Sequence, residues 1–157
     1  MSTVRVVRPV RTAELGRVAD LYLIARRAAG PAMPLGVHSD AEVRAWVRAW
    51  DLSQDDVLGL FDGDHGLRGF ARLAGAHLEA LYVDPAAQGN GVGGTLLDEV
   101  KRLRPDGFDL WVFVANSPAQ DFYRRRGLVE VERTDGAGNE ERAPDIRMAW
   151  IPRQPSR

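Results

Sequence analysis

The run Leu81-Tyr82-Val83-Asp84-Pro85-Ala86-Ala87-Gln88-Gly89-Asn90-Gly91-Val92-Gly93-Gly94 passes from an apolar strand, through a proline turn, into a glycine cluster that opens a helix. The strand extends back to Ala76, and Leu96, Leu97, Val100 and Leu103 recur at helical spacing after the glycines. A second apolar run, Phe108 to Val114, follows Pro105-Asp106-Gly107. Strand, helix of about a dozen residues and strand make a βαβ crossover, so the two strands are predicted to lie parallel with a right-handed connection. The first turn of such a helix has unpaired N–H groups and the positive end of the helix dipole, which together attract phosphate. Four glycines in six residues let the chain wrap a pyrophosphate closely, because no Cβ intervenes and φ above zero is open to them.

Upstream, Val4, Val6 and Val7 predict a first strand ended by Pro9, and Thr12 is placed to cap a helix with Leu15, Val18, Ala19, Leu21 and Tyr22 on its apolar face. That helix should stop near Gly30-Pro31, and Gly30 to His38 reads as a surface loop. Ser39-Asp40-Ala41-Glu42 has the spacing of a capping box, for a helix carrying Val43, Trp46, Val47 and Trp50. Val57 to Phe61 and Leu67 to Leu73, separated by Asp62-Gly63-Asp64-His65-Gly66, read as an antiparallel hairpin. Downstream, Ser117 to Arg126 reads as a short helix stopped by Gly127, with Leu128 to Val131 and Ile146 to Trp150 as two last strands around a polar loop. The expectation is a single α/β domain over residues 1–157, its mixed sheet holding one parallel pair near the centre.

Composition narrows the chemistry. With 157 residues, 45% hydrophobic and 27% charged, the chain has the make-up of one soluble domain able to bury a core. The balance of 21 basic against 22 acidic residues excludes attachment to nucleic acid or anionic membrane by bulk charge. No apolar run approaches the roughly 18 residues of a membrane span, so no membrane partner is expected and the cytoplasm is the default location. The absence of cysteine excludes disulfides, thiolate metal sites and a thiol acyl-enzyme. His38, His65 and His77 have no metal-ligand spacing, so no metal is expected.

Gly89, Gly91 and Gly94 formally satisfy G-x-G-x-x-G, yet five residues separate Val83 from Gly89, and the acid of the next strand, Asp109, stands at its beginning rather than its end. The dinucleotide fingerprint is therefore incomplete, and no Gly-Lys-Ser or Gly-Lys-Thr follows to make a P-loop. The stretch instead resembles the GNAT superfamily of N-acetyltransferases, whose acetyl-coenzyme A signature Q/R-x-x-G-x-G/A is filled by Gln88, Gly91 and Gly93. Asn116, Ala119, Phe122-Tyr123 and Gly127-Leu128 match that family's N-x-x-A-x-x-F/Y-Y-x-x-x-G-F/L stretch. The resemblance is specific from about Leu78 to Leu128 and agrees in element order over nearly the whole chain.

The resemblance implies a GNAT fold: a mixed, mostly antiparallel sheet of six or seven strands, splayed between the fourth and fifth, with about four helices around it. It implies acetyl-coenzyme A as co-substrate, with its pantetheine arm on the main chain of Leu81, Tyr82 and Val83. Its pyrophosphate would lie on Gln88 and the amides of Gly89, Asn90, Gly91, Val92, Gly93 and Gly94, with Asn116 as a side-chain ligand.

Moving an acetyl group from a thioester to an amine needs a neutral nucleophile, a place for negative charge on the acyl oxygen, and a proton for the departing thiolate. Tyr123 stands where the family commonly keeps its general acid, and a phenol of pKa about 10 is protonated at neutral pH. Packing under the cofactor beside Phe122 is the alternative for Tyr123, and capping the next helix is the alternative for Asn116. Period two puts His77, Glu79, Leu81 and Val83 on one face, and a polar pair on a central strand points to a cleft. The stretch Ala76-His77-Leu78-Glu79-Ala80-Leu81-Tyr82-Val83 looks like that of the arylalkylamine N-acetyltransferases, A-H-L-H-A-L-x-V, whose two histidines relay the amine's proton. His77 matches the first histidine and Glu79 replaces the second, leaving Glu79 open as base, orienter of His77 or anchor for the substrate ammonium; a polar pair facing solvent is the alternative. No base is expected on the following strand, which offers Trp111 where ribosomal-protein acetyltransferases supply an acid. The acyl oxygen is expected to meet a main-chain N–H at a distortion near Leu81.

The acceptor is expected between the Gly30 to His38 loop, the Trp46 helix and the Thr134 to Pro144 loop; Glu140 and Glu141 are expected solvated at a hairpin tip, with attraction of a cationic amine as the alternative, and Trp46 and Trp50 in the core, with an aromatic substrate cage as the alternative. The expected function is that of an acyltransferase moving acetyl from acetyl-coenzyme A to a primary amine, of a small molecule or a peptide or protein N-terminus. Attack would be direct, in a ternary complex, by a monomer or homodimer. A coenzyme A-binding module without catalysis and a nucleotide-binding protein are the competing readings.

Overall fold

A computed structural model of the chain describes residues 4–34, 36–63 and 66–152. Among the described residues seven strands make one sheet: β1 (Arg5–Pro9), β2 (Asp56–Asp62), β3 (Gly66–Ala74), β4 (His77–Val83), β5 (Phe108–Phe113), β6 (Val129–Thr134) and β7 (Asp145–Trp150). Their spatial order is β1-β2-β3-β4-β5-β7-β6, and β4 with β5 is the one parallel pair. Four α-helices among the described residues surround the sheet: α1 (Leu15–Ala28), α2 (Asp40–Arg48), α3 (Val92–Leu103) and α4 (Ser117–Arg125). The mixed sheet and helix number match the expected architecture. Among the described residues no helix is long and apolar enough to cross a membrane.

Strand alternation sorts the core into two layers. Val57 of β2 and Phe70 of β3 pack with Leu15, Val18 and Val47 of α1 and α2, while Leu58 and Leu60 of β2 point the other way onto Val92 and Leu96 of α3. Ala71 and Leu73 of β3 continue that second layer under Leu97, Val100 and Tyr123. Each such buried aliphatic or aromatic side chain contributes about 1.5–3 kcal/mol relative to exposure. Helix α3 sits close to β3 because Gly69 has no side chain: a Cβ there would meet Val92 Cγ1 at 2.7 Å.

Local signals hold in part. Ser39 caps α2, its hydroxyl accepting from Glu42 N–H at 3.2 Å while the Glu42 carboxylate accepts from Ser39 N–H at 3.1 Å. Thr12 does not cap α1: Thr12–Glu14 form a 3₁₀ turn before it, and the Glu14 carboxylate takes the Arg11 N–H at 2.9 Å and the Arg8 guanidinium at 2.8 Å. Trp50 falls beyond α2, and β6 runs on to Thr134. Asp64 and His65 of the hairpin turn, Leu35 of the breaker-rich loop and the start Met1 to Thr3 lie outside the described residues.

Two irregularities of β4 shape the centre of the sheet. On one edge, β4 and β5 share a single register pair, His77 with Asp109, beside the bond from Asp109 N–H to Ala76 O at 3.0 Å; past it the strands part. On the other edge the register with β3 jumps from Arg72↔Ala80 to Leu73↔Leu78, leaving Glu79 as the extra residue of a bulge. The bulge reverses the alternation, so Leu78 and Leu81 pack under α3 and α4 while Ala80 and Tyr82 pack toward α1 and α2. The simple period that put His77, Glu79, Leu81 and Val83 on one face is corrected accordingly.

Candidate active site

Where β4 and β5 separate there is a cleft of about 650 Å³. Leu81 and Tyr82 of β4 face Leu110 to Phe113 of β5 across it, with Tyr123 of α4 and Asn116 at one side. Tyr123 is 8% exposed, its ring set edge-on to Phe122 at 5.2 Å, and among the described residues its hydroxyl has no hydrogen-bond partner. Burial, helped by the neighbouring Tyr82, pushes its phenol above the usual range and keeps it protonated. Asn116 does cap α4, its Oδ1 accepting from Ala119 N–H at 3.2 Å, which leaves Nδ2 on the cleft side near Met33 Sδ at 3.5 Å.

Glu79, at the bulge, lines the cleft, and His77 does not. The His77 Nε2 lies 3.9 Å from Glu79 Oε2, and its Nδ1 lies 2.6 Å from Asp109 Oδ1. Burial opposes the charge on Asp109, but hydrogen bonds from His77 and Arg147 outweigh it and hold the carboxyl below its ordinary range. Periodicity gave no sign that Asp109 meets His77. Only the parallel register, which sets the start of β5 against the start of β4, brings it to His77.

The glycine turn lies at the start of α3. Gly91 is its left-handed N-cap at φ +79°, and Gly89 has φ +85°. Gln88 and Asn90 N–H turn back to Pro85 and Ala87 carbonyls. Among the described residues Gly89, Gly91, Val92, Gly93 and Gly94 N–H make no backbone bond, the first helical one being Thr95 N–H to Gly91 O at 3.0 Å. No atom lies within 4 Å of a Cβ built on Gly89 or Gly91. A row of free amides on an open, helix-positive turn fits a diphosphate. The side chain of Val92 is buried, so only its amide can serve. Arg126, also missed, brings a cation to this turn: it stacks over Phe122 at 4.1 Å, and a Cβ on Gly94 would meet its Nη2 at 2.6 Å.

A second cavity of about 1100 Å³ lies between the Gly30 to His38 loop, α1 and α2, and shares Tyr22, Arg26, Met33, Trp46 and Glu141 with the first. Arg26 donates to the Tyr22 and Tyr82 hydroxyls at 3.2 and 3.3 Å, and burial pushes the Tyr82 phenol up to about 12 against the pull of that cation. Trp46, expected in the core, is 49% exposed and stands between the two cavities, whereas Trp50 is buried. Glu141, expected in solvent, is 19% exposed and lies 3.9 Å from Arg26. Glu140 stays exposed but lies 3.1 Å from His38 Nε2, and His38 Nδ1 lies 3.4 Å from Glu42; these two carboxylates raise the His38 pKa. Among the described residues no three histidine or carboxylate side chains group as metal ligands.

Known proteins share this fold. Residues 44–130 match the family model described as Acetyltransferase (GNAT) domain. Over 94 residues the chain is 34% identical to the peptidyl-lysine N-acetyltransferase YjaB of Salmonella typhimurium, a match covering 60% of this chain and 56% of that protein. The solution structure of apo-form YjaB from Escherichia coli superposes with a TM-score of 0.77 at 23% identity, over 96% of this chain and 99% of that one. The PaiA N-acetyltransferase of Thermoplasma acidophilum, crystallised with coenzyme A, gives 0.72 at 22% identity, over 95% and 99%. The family match spans more than half of the sequence and includes the glycine turn, the parting strands and Tyr123, and the chain belongs to the GNAT acetyltransferase family.

Proposed function

We propose that the protein transfers an acetyl group from acetyl-coenzyme A to a primary amine by direct attack in a ternary complex. The observation that carries this reading is a pair of adjacent cavities that share Tyr22, Arg26, Met33, Trp46 and Glu141, one opening between the parted strands at the β4 bulge and the other toward α1 and α2. Gln88 and the amides from Gly89 to Gly94 would hold the pyrophosphate, with Arg126 nearby. The unpaired edge of Leu81, Tyr82 and Val83 would hold the pantetheine arm, with Asn116 as a side-chain ligand. Bound there, acetyl-coenzyme A supplies an acyl carbon activated as a thioester.

The chain's own residues then divide the proton work. Glu79 accepts a proton from the incoming ammonium, with His77 behind it, and Tyr123 gives its phenol proton to the departing sulfur. Main-chain N–H groups freed at the β4 distortion meet the charge on the acyl oxygen. With no cysteine in the chain, no thiol carries the acyl group between substrates.

The acceptor enters through the second cavity. Small arylalkylamines and peptide N-termini fit the reading, and the name of the Salmonella relative adds the lysine side chain. The test is release of coenzyme A from acetyl-coenzyme A against arylalkylamines, polyamines, a lysine peptide and a free peptide N-terminus. Turnover with at least one of these, saturable in both substrates, is expected. Tight acetyl-coenzyme A binding with no release against any of them would make the protein a binding module instead.

A further inference from the structure

The charged groups at the closed end of the cleft form one chain across four strands. Glu79 of β4 lines the cleft, with its Oε2 3.9 Å from His77 Nε2. His77 Nδ1 lies 2.6 Å from Asp109 Oδ1 of β5, and Asp109 Oδ2 accepts from Arg147 Nη1 of β7 at 3.0 Å. Arg147 Nε in turn donates to Glu132 Oε2 of β6 at 3.0 Å. On the remaining side, Ala74 of β3 is the register partner of His77 and has no charge.

This geometry sets the tautomer. An ionised carboxylate only accepts, so the imidazole proton is drawn to Nδ1 and the Nε2 lone pair is left toward Glu79. The 3.9 Å separation is closed by a small rotation of the exposed Glu79 or by one bridging water. Arg147 holds the other carboxylate oxygen, so Asp109 cannot turn away from the ring.

We propose that Asp109 is a positioning residue for proton removal, holding the His77 ring through Nδ1 so that Nε2 receives the proton collected by Glu79. The inference rests on the reading of Glu79 as the group that takes the amine's proton. An N–H bond of the acceptor ammonium breaks and an O–H bond forms on Glu79. That carboxyl then loses its proton to His77 Nε2, and the imidazolium releases one proton to solvent from a side chain 28% exposed. Asp109 keeps its charge throughout.

The test is an NMR titration of the His77 ring in the free protein, its signals assigned by their loss in His77→Asn, together with the pH profile of kcat/KM. Three proteins are compared: wild type, Asp109→Asn and Arg147→Gln. Removing the anion in Asp109→Asn is expected to move the His77 midpoint down, and removing the competing cation in Arg147→Gln to move it up. The acid limb of kcat/KM moves with the midpoint, and KM for acetyl-coenzyme A stays near wild type. Equal midpoints in all three proteins, or a limb that stays in place while only thermal stability falls, overturn the inference. Should Asp109→Asn fail to fold, the rise in Arg147→Gln carries the test. A wild-type protein that acetylates no amine refutes the transfer reading and this inference with it, whereas an active enzyme whose acid limb ignores Asp109 and Arg147 refutes the inference alone.

Discussion

Tyr123 packs its ring among Leu97, Val100 and Leu128 while lining the cleft, so packing and the proposed acid role are compatible at this one position. Its raised pKa places loss of the phenol proton above the ordinary tyrosine range, so the acid stays loaded through neutral and mildly alkaline pH. Tyr123→Phe keeps the ring and deletes the donor. It is expected to lower kcat by about 10²–10⁴-fold, with the melting temperature and acetyl-coenzyme A KM near wild type, as steady-state kinetics and thermal melts will report. A variant with undiminished kcat would remove Tyr123 from the chemistry. The proposed places of Tyr123, Asn116 and the glycines are legible from fixed offsets in a motif. Those of Asp109 and Arg126 are not, because they come from neighbours distant in the chain: His77 across a parallel register, and Gly94 of α3 beside Arg126 at the end of α4.

Periodicity placed nearly every strand and helix, and failed at β4 for a definite reason. A bulge adds one residue without changing composition, so nothing in His77 to Val83 marks Glu79 as the extra one; only the pairing with β3 reveals it. Seating of α3 on β3 was equally hidden, since Gly69 reads as an ordinary strand glycine. There a Cβ would meet Val92 Cγ1 at 2.7 Å and Leu96 Cδ1 at 3.0 Å, both on the first turns of the helix whose amides are proposed to hold the pyrophosphate. Gly69→Ala is therefore expected to destabilise the fold by about 1–3 kcal/mol through overpacking. By displacing those amides it should also weaken acetyl-coenzyme A binding severalfold. Gly63→Ala, whose Cβ would have Val4 O at 3.8 Å as its nearest neighbour, is the control expected to change neither. Calorimetric titration and denaturant melts of both proteins check this, and wild-type affinity in Gly69→Ala would uncouple the helix seat from the site.

At the scale of the whole molecule, β4 and β5 are joined by one register pair and by the core beneath α3 and α4, so the middle of the sheet lacks the ladder that secures the other strands. A pantetheine arm lying along Leu81 to Val83 would give those main-chain groups the partners that β5 withholds. Amide exchange near Leu81, Tyr82 and Val83 should then slow when coenzyme A or a non-transferable thioether analogue is added, while Asp109 N–H, already bonded to Ala76 O, changes little. Because the ligand binds the folded form, the stability gained should follow its concentration, reaching about 2.7 kcal/mol at a hundred times Kd. ATP and NAD bring a diphosphate but no pantetheine arm, so they are expected to affect the Gly89 to Gly94 turn at most and leave the β4 edge exchanging as before. Protection of β4 by either nucleotide as strong as that by coenzyme A, or none by coenzyme A at saturation, would mean that the opening between β4 and β5 is not where the arm lies.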